Sequence, residues 1–140
     1  MNTLLSNFCN FYSNLAIDNL TDLSAIYDKQ AVFEDPIHKV SGLDNISIYF
    51  QKMLANTAYC RFQIDSHIEQ DGQAYIRWLM SFSHPRLNKG KEINVPGVSY
   101  IEFDHRVTYH KDYMDMGSMV YEHVAILGAV IRKVKSEMLK

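Results

Sequence analysis

The 140-residue sequence is short of the features that usually place a protein quickly: two cysteines, three prolines, one tryptophan and no surplus of positive charge. Each shortage excludes something. Cys9 and Cys60 lie inside apolar patterns rather than at metal-ligand spacing, so both read as small buried hydrophobes in a reduced, cytoplasmic protein. The opening MNTLLSNFCNFY has neither the basic stretch nor the continuous apolar run of a secretory signal. A formal net charge of -2 and a pI near 6.3 leave no phosphate-tracking surface, and no nucleic-acid partner is expected. The longest apolar run, Val124 to Ile131, falls far short of the ~20 residues a membrane span requires, so no membrane partner is expected either. The histidines His38, His67, His84, His105, His110 and His123 show no metal-ligand spacing, and neither metal nor cofactor is expected.

What the chain does have is apolar content, 47% of its residues, enough to bury the core of one domain spanning 1–140. Leu4, Leu5, Phe8, Phe11, Tyr12 and Leu15 recur at helical spacing, with Asn2 or Thr3 as N-cap. Leu20, Leu23, Ile26 and Tyr27 repeat the pattern over a shorter helix. Gln30 to Asp35 reads as a short strand stopped by Pro36, and Leu43, Ile46, Phe50, Met53 and Leu54 mark a third helix.

Arg61 to Ile68 alternates, with Phe62, Ile64 and Ile68 on one face, and Asp71-Gly72 then predicts a tight hairpin. The next strand, Ala74 to His84, sets Tyr75, Arg77 and Leu79 against Ile76, Trp78, Met80 and Phe82, so both of its faces are substantially apolar. After a loop over His84 to Gly90, the stretch VPGVSYIEFDHRVTYHKDYMDM reads as two strands joined near Asp104, and Met119 to Leu139 as a closing helix. The order predicts an α+β domain with helices over one face of a mostly antiparallel sheet.

On the last strand, alternation puts His110, Asp112 and Met114 on one side and Tyr109, Lys111 and Tyr113 on the other. A carboxylate and an imidazole thus project together. His110 shares a face with Asp112 and could hold or relay its proton.

Three segments carry a resemblance: the opening helix, LTDLSAIYDKQAVFEDPIHKVSGLDNISIYF, and VSYIEFDHRVTYHKDYMD. Over nearly its whole length the chain resembles the nuclear transport factor 2-like superfamily and, within it, the SnoaL-like polyketide cyclase and ketosteroid isomerase-like branch. The resemblance implies a cone-shaped domain, a strongly curved sheet wrapping a pocket closed by the N-terminal helices, plus a C-terminal helix. It implies a small hydrophobic ligand and a homodimer formed through the outer face of the sheet. Tyr75, Arg77, Leu79, His110, Asp112 and Met114 would face the pocket, and Trp78, Met80 and Phe82 the dimer.

The resemblance also suggests roles. Asp112 matches the acid/base aspartate of SnoaL-like cyclases and a catalytic aspartate of limonene epoxide hydrolase; Arg77 matches that hydrolase's arginine, while its second acid is Leu79 here. Asp35, in Glu34-Asp35-Pro36, matches the general base of ketosteroid isomerases, whose oxyanion tyrosine aligns with Phe11 and whose partner acid aligns with Ser99. Tyr12 stands one residue out of register with that tyrosine and is carried, with Tyr75, Leu79 and Met114, as pocket-lining. The catalytic candidates are therefore Asp112, His110, Arg77 and Asp35. Two readings of Asp112 stand side by side: a base acting next to a carbonyl, or one half of a buried pair with Arg77 or His110. For Asp35 the alternative is a cap on the turn at Pro36. The expected function is a cofactor-independent cyclase or isomerase; the alternative is a non-catalytic ligand-binding or dimerisation module of the same fold.

Overall fold

A computed structural model describes residues 2–140. Helix α1 (Thr3–Ser13) starts where Asn2 accepts the Leu4 N–H at 2.7 Å, and it buries the Leu4, Leu5, Phe8, Phe11 and Tyr12 stripe. A 3₁₀ turn (Ile17–Asp22) and the single-turn α2 (Leu23–Ile26) follow, so the second helix is shorter and tighter than its spacing predicts. Tyr27 leaves it and opens β1 (Tyr27–Glu34). After β2 (Lys39–Ser41), Gly42 at φ 89° turns the chain into α3 (Leu43–Ala55), a conformation that favours glycine.

Four more strands complete the sheet: β3 (Tyr59–Gln70), β4 (Gln73–Ser83), β5 (Ile93–Phe103) and β6 (Val107–Met114). Its order is β2-β1-β6-β5-β4-β3; β1 and β6 run parallel and every other pair antiparallel, giving an open, mixed sheet. The result is the α+β cone expected: helices α1 to α3 cover one face, and the core lies between them and the sheet. Among the described residues no helix is long and apolar enough to cross a membrane.

Three expectations about faces and boundaries are corrected. Ile76 of β4 pairs with Ser99 of β5, which pairs with Asp112 of β6, and directly opposed residues share a face. Ile76, Trp78, Met80 and Phe82 therefore point inward with Asp112, while Tyr75, Arg77 and Leu79 point the other way. Arg77 belongs to the row of Val98 and Tyr113; its side chain is 67% exposed and faces Asp65 at 3.9 Å. Alternation along β4 is as read, but which face is inner was decided by a neighbouring strand.

In β3 the register slips at Asp65, an extra residue between the Ile64–Trp78 and Ser66–Arg77 pairs. The bulge turns Ile68 out to 71% exposure instead of leaving it beside Phe62 and Ile64. The closing helix is also interrupted. Asp115 caps the short α4 (Met116–Met119), Val120 leaves helical geometry, and α5 spans Ala125–Glu137 only after an extended Val124. Gly128 and Arg132 hold α5 against the backbone of Glu122, and Lys135 pairs with its carboxylate at 3.1 Å.

Candidate functional site

Asp112 and His110 are brought to the inner face by β6, and both are buried. Their pairing is direct: His110 Nε2 lies 2.6 Å from Asp112 Oδ1. On the same oxygen Ser99 donates its hydroxyl at 2.5 Å, and Trp78 Nε1–H in turn donates to Ser99 Oγ at 2.8 Å. On the other side of the imidazole, Tyr27 Oη is 2.6 Å from Nδ1, and Tyr12 Oη is 2.6 Å from Tyr27 Oη. A continuous hydrogen-bonded chain thus runs Tyr12, Tyr27, His110, Asp112, Ser99, Trp78.

One arrangement of protons gives every donor in this chain an acceptor within it. Tyr12 donates to Tyr27, Tyr27 to His110 Nδ1, and His110 Nε2–H, like Ser99, to Asp112 Oδ1. A proton on Nδ1 would leave one tyrosine O–H pointing at nothing. In this arrangement the imidazole proton sits on Nε2, facing Asp112. Its ring is fixed by packing as well, nearly parallel to that of Tyr27 at an interplanar angle of 4° and edge-on to Phe33, with centroids 4.8 Å apart.

Asp112 keeps one oxygen uncommitted. Both of its hydrogen bonds fall on Oδ1, and among the described residues no buried side-chain oxygen or nitrogen lacks a partner. Oδ2 is consequently the atom through which Asp112, 6% exposed, meets solvent. Burial raises Tyr12 and Tyr27 well above the ordinary tyrosine range, with the charge of Asp112 adding to the effect in both. They are therefore hydrogen-bond donors across the physiological range, not bases.

The other candidates lie elsewhere. Arg77, Tyr75 and Leu79 are on the far side of the sheet from Asp112, so Arg77 pairs with neither it nor His110. Asp35 stands at the end of β1, where Oδ1 accepts the N–H groups of Ile37 and His38, each at 2.8 Å, and Oδ2 accepts the hydroxyl of Tyr49. It caps the turn at Pro36, as its alternative reading has it. Burial first, then that bond and the charge of Asp35, raise Tyr49 well above its usual range. Met114 is half-buried against the core, one row beyond Asp112 on the same face. Tyr12, one residue out of register with the matched tyrosine, reaches the network because both Phe11 and Tyr12 face inward from α1.

Spacing along the chain does not reveal Tyr27, Ser99 or Trp78 as partners. Tyr27 meets His110 across 83 positions, and Ser99 draws notice only as the place where an acid is missing. Among the described residues no group of three or more His, Cys, Asp or Glu could hold a metal ion.

Comparison with known proteins points one way. The family model of the SnoaL-like domain matches residues 9–110. Among solved structures, a provisionally named SnoaL-like polyketide cyclase from Shewanella putrefaciens CN-32 superposes with a TM-score of 0.71 at 19% identity, over 85% of this chain and 94% of its own. A hypothetical protein with a ketosteroid isomerase-like fold from Catenulispora acidiphila DSM 44928, in complex with trimethylamine, gives 0.74 at 12% identity, over 89% and 94%. An epoxide hydrolase like limonene epoxide hydrolase, from M. tuberculosis, gives 0.66 at 16% identity over 83% of each chain. No curated protein matches in sequence.

Proposed function

The chain belongs to the SnoaL-like domain family, and from that premise we propose that it is a cofactor-independent cyclase or isomerase acting on a small hydrophobic carbonyl compound, with Asp112 as its acid/base group. One observation carries the reading: a buried carboxylate whose Oδ1 is fully engaged while Oδ2 is free. Such an oxygen can take a proton from the carbon next to a carbonyl. The C–H bond breaks, an O–H bond forms at Oδ2, and the electron pair moves to the carbonyl oxygen as an enolate. Returning the proton to a different carbon isomerises the compound. Attack of the enolate carbon on a second carbonyl of the same molecule closes a ring, and the alkoxide so formed takes back the proton from Oδ2.

His110 and Ser99 orient the carboxylate and disperse its charge. Tyr27, through Nδ1, keeps the imidazole in the tautomer that does so. Arg77 and Leu79, the positions matched to the epoxide hydrolase, face away from Asp112, and epoxide hydrolysis is not part of the proposal. A cytoplasmic location is part of it, since the free thiols of Cys9 and Cys60 suit a reducing compartment. So is a homodimer, which would use the outer sheet face carrying Ile68, Tyr75 and Tyr113 because Trp78, Met80 and Phe82 turn inward.

The second reading, a ligand-binding or dimerisation module without turnover, draws on the fact that neither His110 nor Asp112 lines any of the five main cavities. The deciding experiment follows deuterium uptake next to the carbonyl of hydrophobic ketones and diketones in D₂O, for wild type and Asp112→Asn. Exchange or cyclisation by wild type and its loss in the variant supports the enzyme. Equal ligand-induced thermal shifts in both proteins, with no exchange by either, supports the binding module.

A further inference from the structure

Helix α5 turns its apolar stripe away from the protein. Ile126, Val130, Val134 and Met138 recur at every fourth residue with Leu127 and Ile131 beside them, the spacing by which a helix ordinarily seats itself on a core. Here Ile126, Leu127, Val130, Val134 and Met138 are 45% to 82% exposed, and Gly128 is the buried residue of the helix.

What holds α5 is its other side. Gly128 lies against the Glu122 backbone, where a Cβ would run into the carbonyl oxygen; Arg132 donates to that same oxygen, and Lys135 pairs with the Glu122 carboxylate. At 3.6 residues per turn Val130, in the middle of the stripe, stands about 160° round the helix from both Gly128 and Arg132. The anchored side therefore directs the stripe outward. The helix also lies beyond residues 9–110, so the stripe is an addition to the part of the chain that the family model matches.

Charge gathers beside the stripe. Arg132, Lys133, Lys135 and Lys140 stand against one carboxylate, Glu137, in a chain whose formal net charge is -2. Round the helix, Lys133 borders the stripe next to Ile126, and Lys135 borders its opposite edge next to Ile131.

We propose that α5 docks the protein on the surface of an anionic lipid membrane, the helix lying in the headgroup plane with its apolar stripe toward the acyl chains. Basic residues on the flanks of such a stripe reach the lipid phosphates while their stems stay on the apolar side. The ~20 residues needed to cross a bilayer are not needed to lie on one. A second copy of the chain fits the stripe less well. About 20 Å long and 10–12 Å wide, the stripe offers a few hundred Å² per copy, short of the ~800 Å² per partner of a standard protein interface. A second α5 also brings more cations rather than the anions that these four lack. Docking stands whether or not Asp112 moves a proton.

The test is cosedimentation of the full chain with phosphatidylcholine vesicles, either plain or carrying about 30 mol% phosphatidylglycerol. Binding about tenfold tighter to the anionic vesicles is expected, weakening as salt rises from about 0.05 to 0.5 M. Val130→Asp should weaken it about tenfold or more and Lys133→Gln about fivefold. Both positions are exposed, so both variants should keep the wild-type melting temperature, and either one serves where the other fails to fold. No binding to anionic vesicles, equal binding to both kinds, or undiminished binding by either folded variant would overturn the proposal. So would a dimer in lipid-free buffer that Val130→Asp dissolves, because the stripe would then belong to a second copy of the chain.

Discussion

Tyr27 and His110 lie 83 positions apart, yet the tyrosine oxygen sits 2.6 Å from Nδ1 and the two ring planes lie within 4° of parallel. This contact assigns the proton of the imidazole to Nε2, where it serves Asp112. Tyr27→Phe leaves Nδ1 buried without a donor. Its expected cost is about 1–3 kcal/mol in urea unfolding, with a change in the ¹⁵N shifts of His110 that a mere packing defect would not produce. Unchanged ¹⁵N shifts would mean that Tyr27 does not set the tautomer.

Ser99→Ala removes a donor from Asp112 and an acceptor from Trp78 at once. A loss of about 1–3 kcal/mol is expected, together with a shift in emission from the single tryptophan. Gly97→Ala should move the same emission without touching Asp112, because the added methyl displaces the indole, at a cost of about 1–3 kcal/mol for overpacking. Native-like emission from both variants would contradict the placement of Trp78.

Arg77→Ala is expected to change stability by less than about 0.5 kcal/mol and to leave any exchange activity intact, since its ion pair with Asp65 is exposed and long. Loss of activity with intact folding would return Arg77 to the site.

Alkali should unfold the protein in a predictable window. Tyr12 and Tyr27 are raised well above the ordinary tyrosine range, chiefly by burial, and Tyr109 is pushed up to about 12 by burial and by Glu34. With folded values above the unfolded ones, this stability is fully present below about pH 10 and is lost as pH rises beyond it. In an absorbance titration at 295 nm, the buried tyrosines should ionise together with loss of near-UV circular dichroism. Ionisation of every tyrosine near pH 10 in a folded protein would contradict their burial.

Local patterns made most elements legible: α1 and α3 from helical spacing, the hairpin from Asp71-Gly72, the shared face of His110 and Asp112 from alternation. What stayed hidden depends on partners distant in sequence. Which side of β4 is inner follows from the register Ile76–Ser99–Asp112, which no single strand contains. The bulge at Asp65 arises from strand pairing, and an alternating pattern read without it carries Ile68 to the wrong side. Tyr27 looked like one more apolar residue of a helix because its hydroxyl has no local partner. At Ser99 a missing acid is equally a present donor, and only the contact with Asp112 distinguishes the two.

Strand β6 is made last of the six, yet it lies between β1 and β5. Until residues 107–114 leave the ribosome, β2-β1 and β5-β4-β3 are separate fragments with facing open edges. Insertion of β6 closes both at once, and the same step delivers His110 to Tyr27 and Asp112 to Ser99. Assembly of the site is thus the late, long-range event of folding, and a chain halted before Val107 would present two unpaired strands to any other chain that met it.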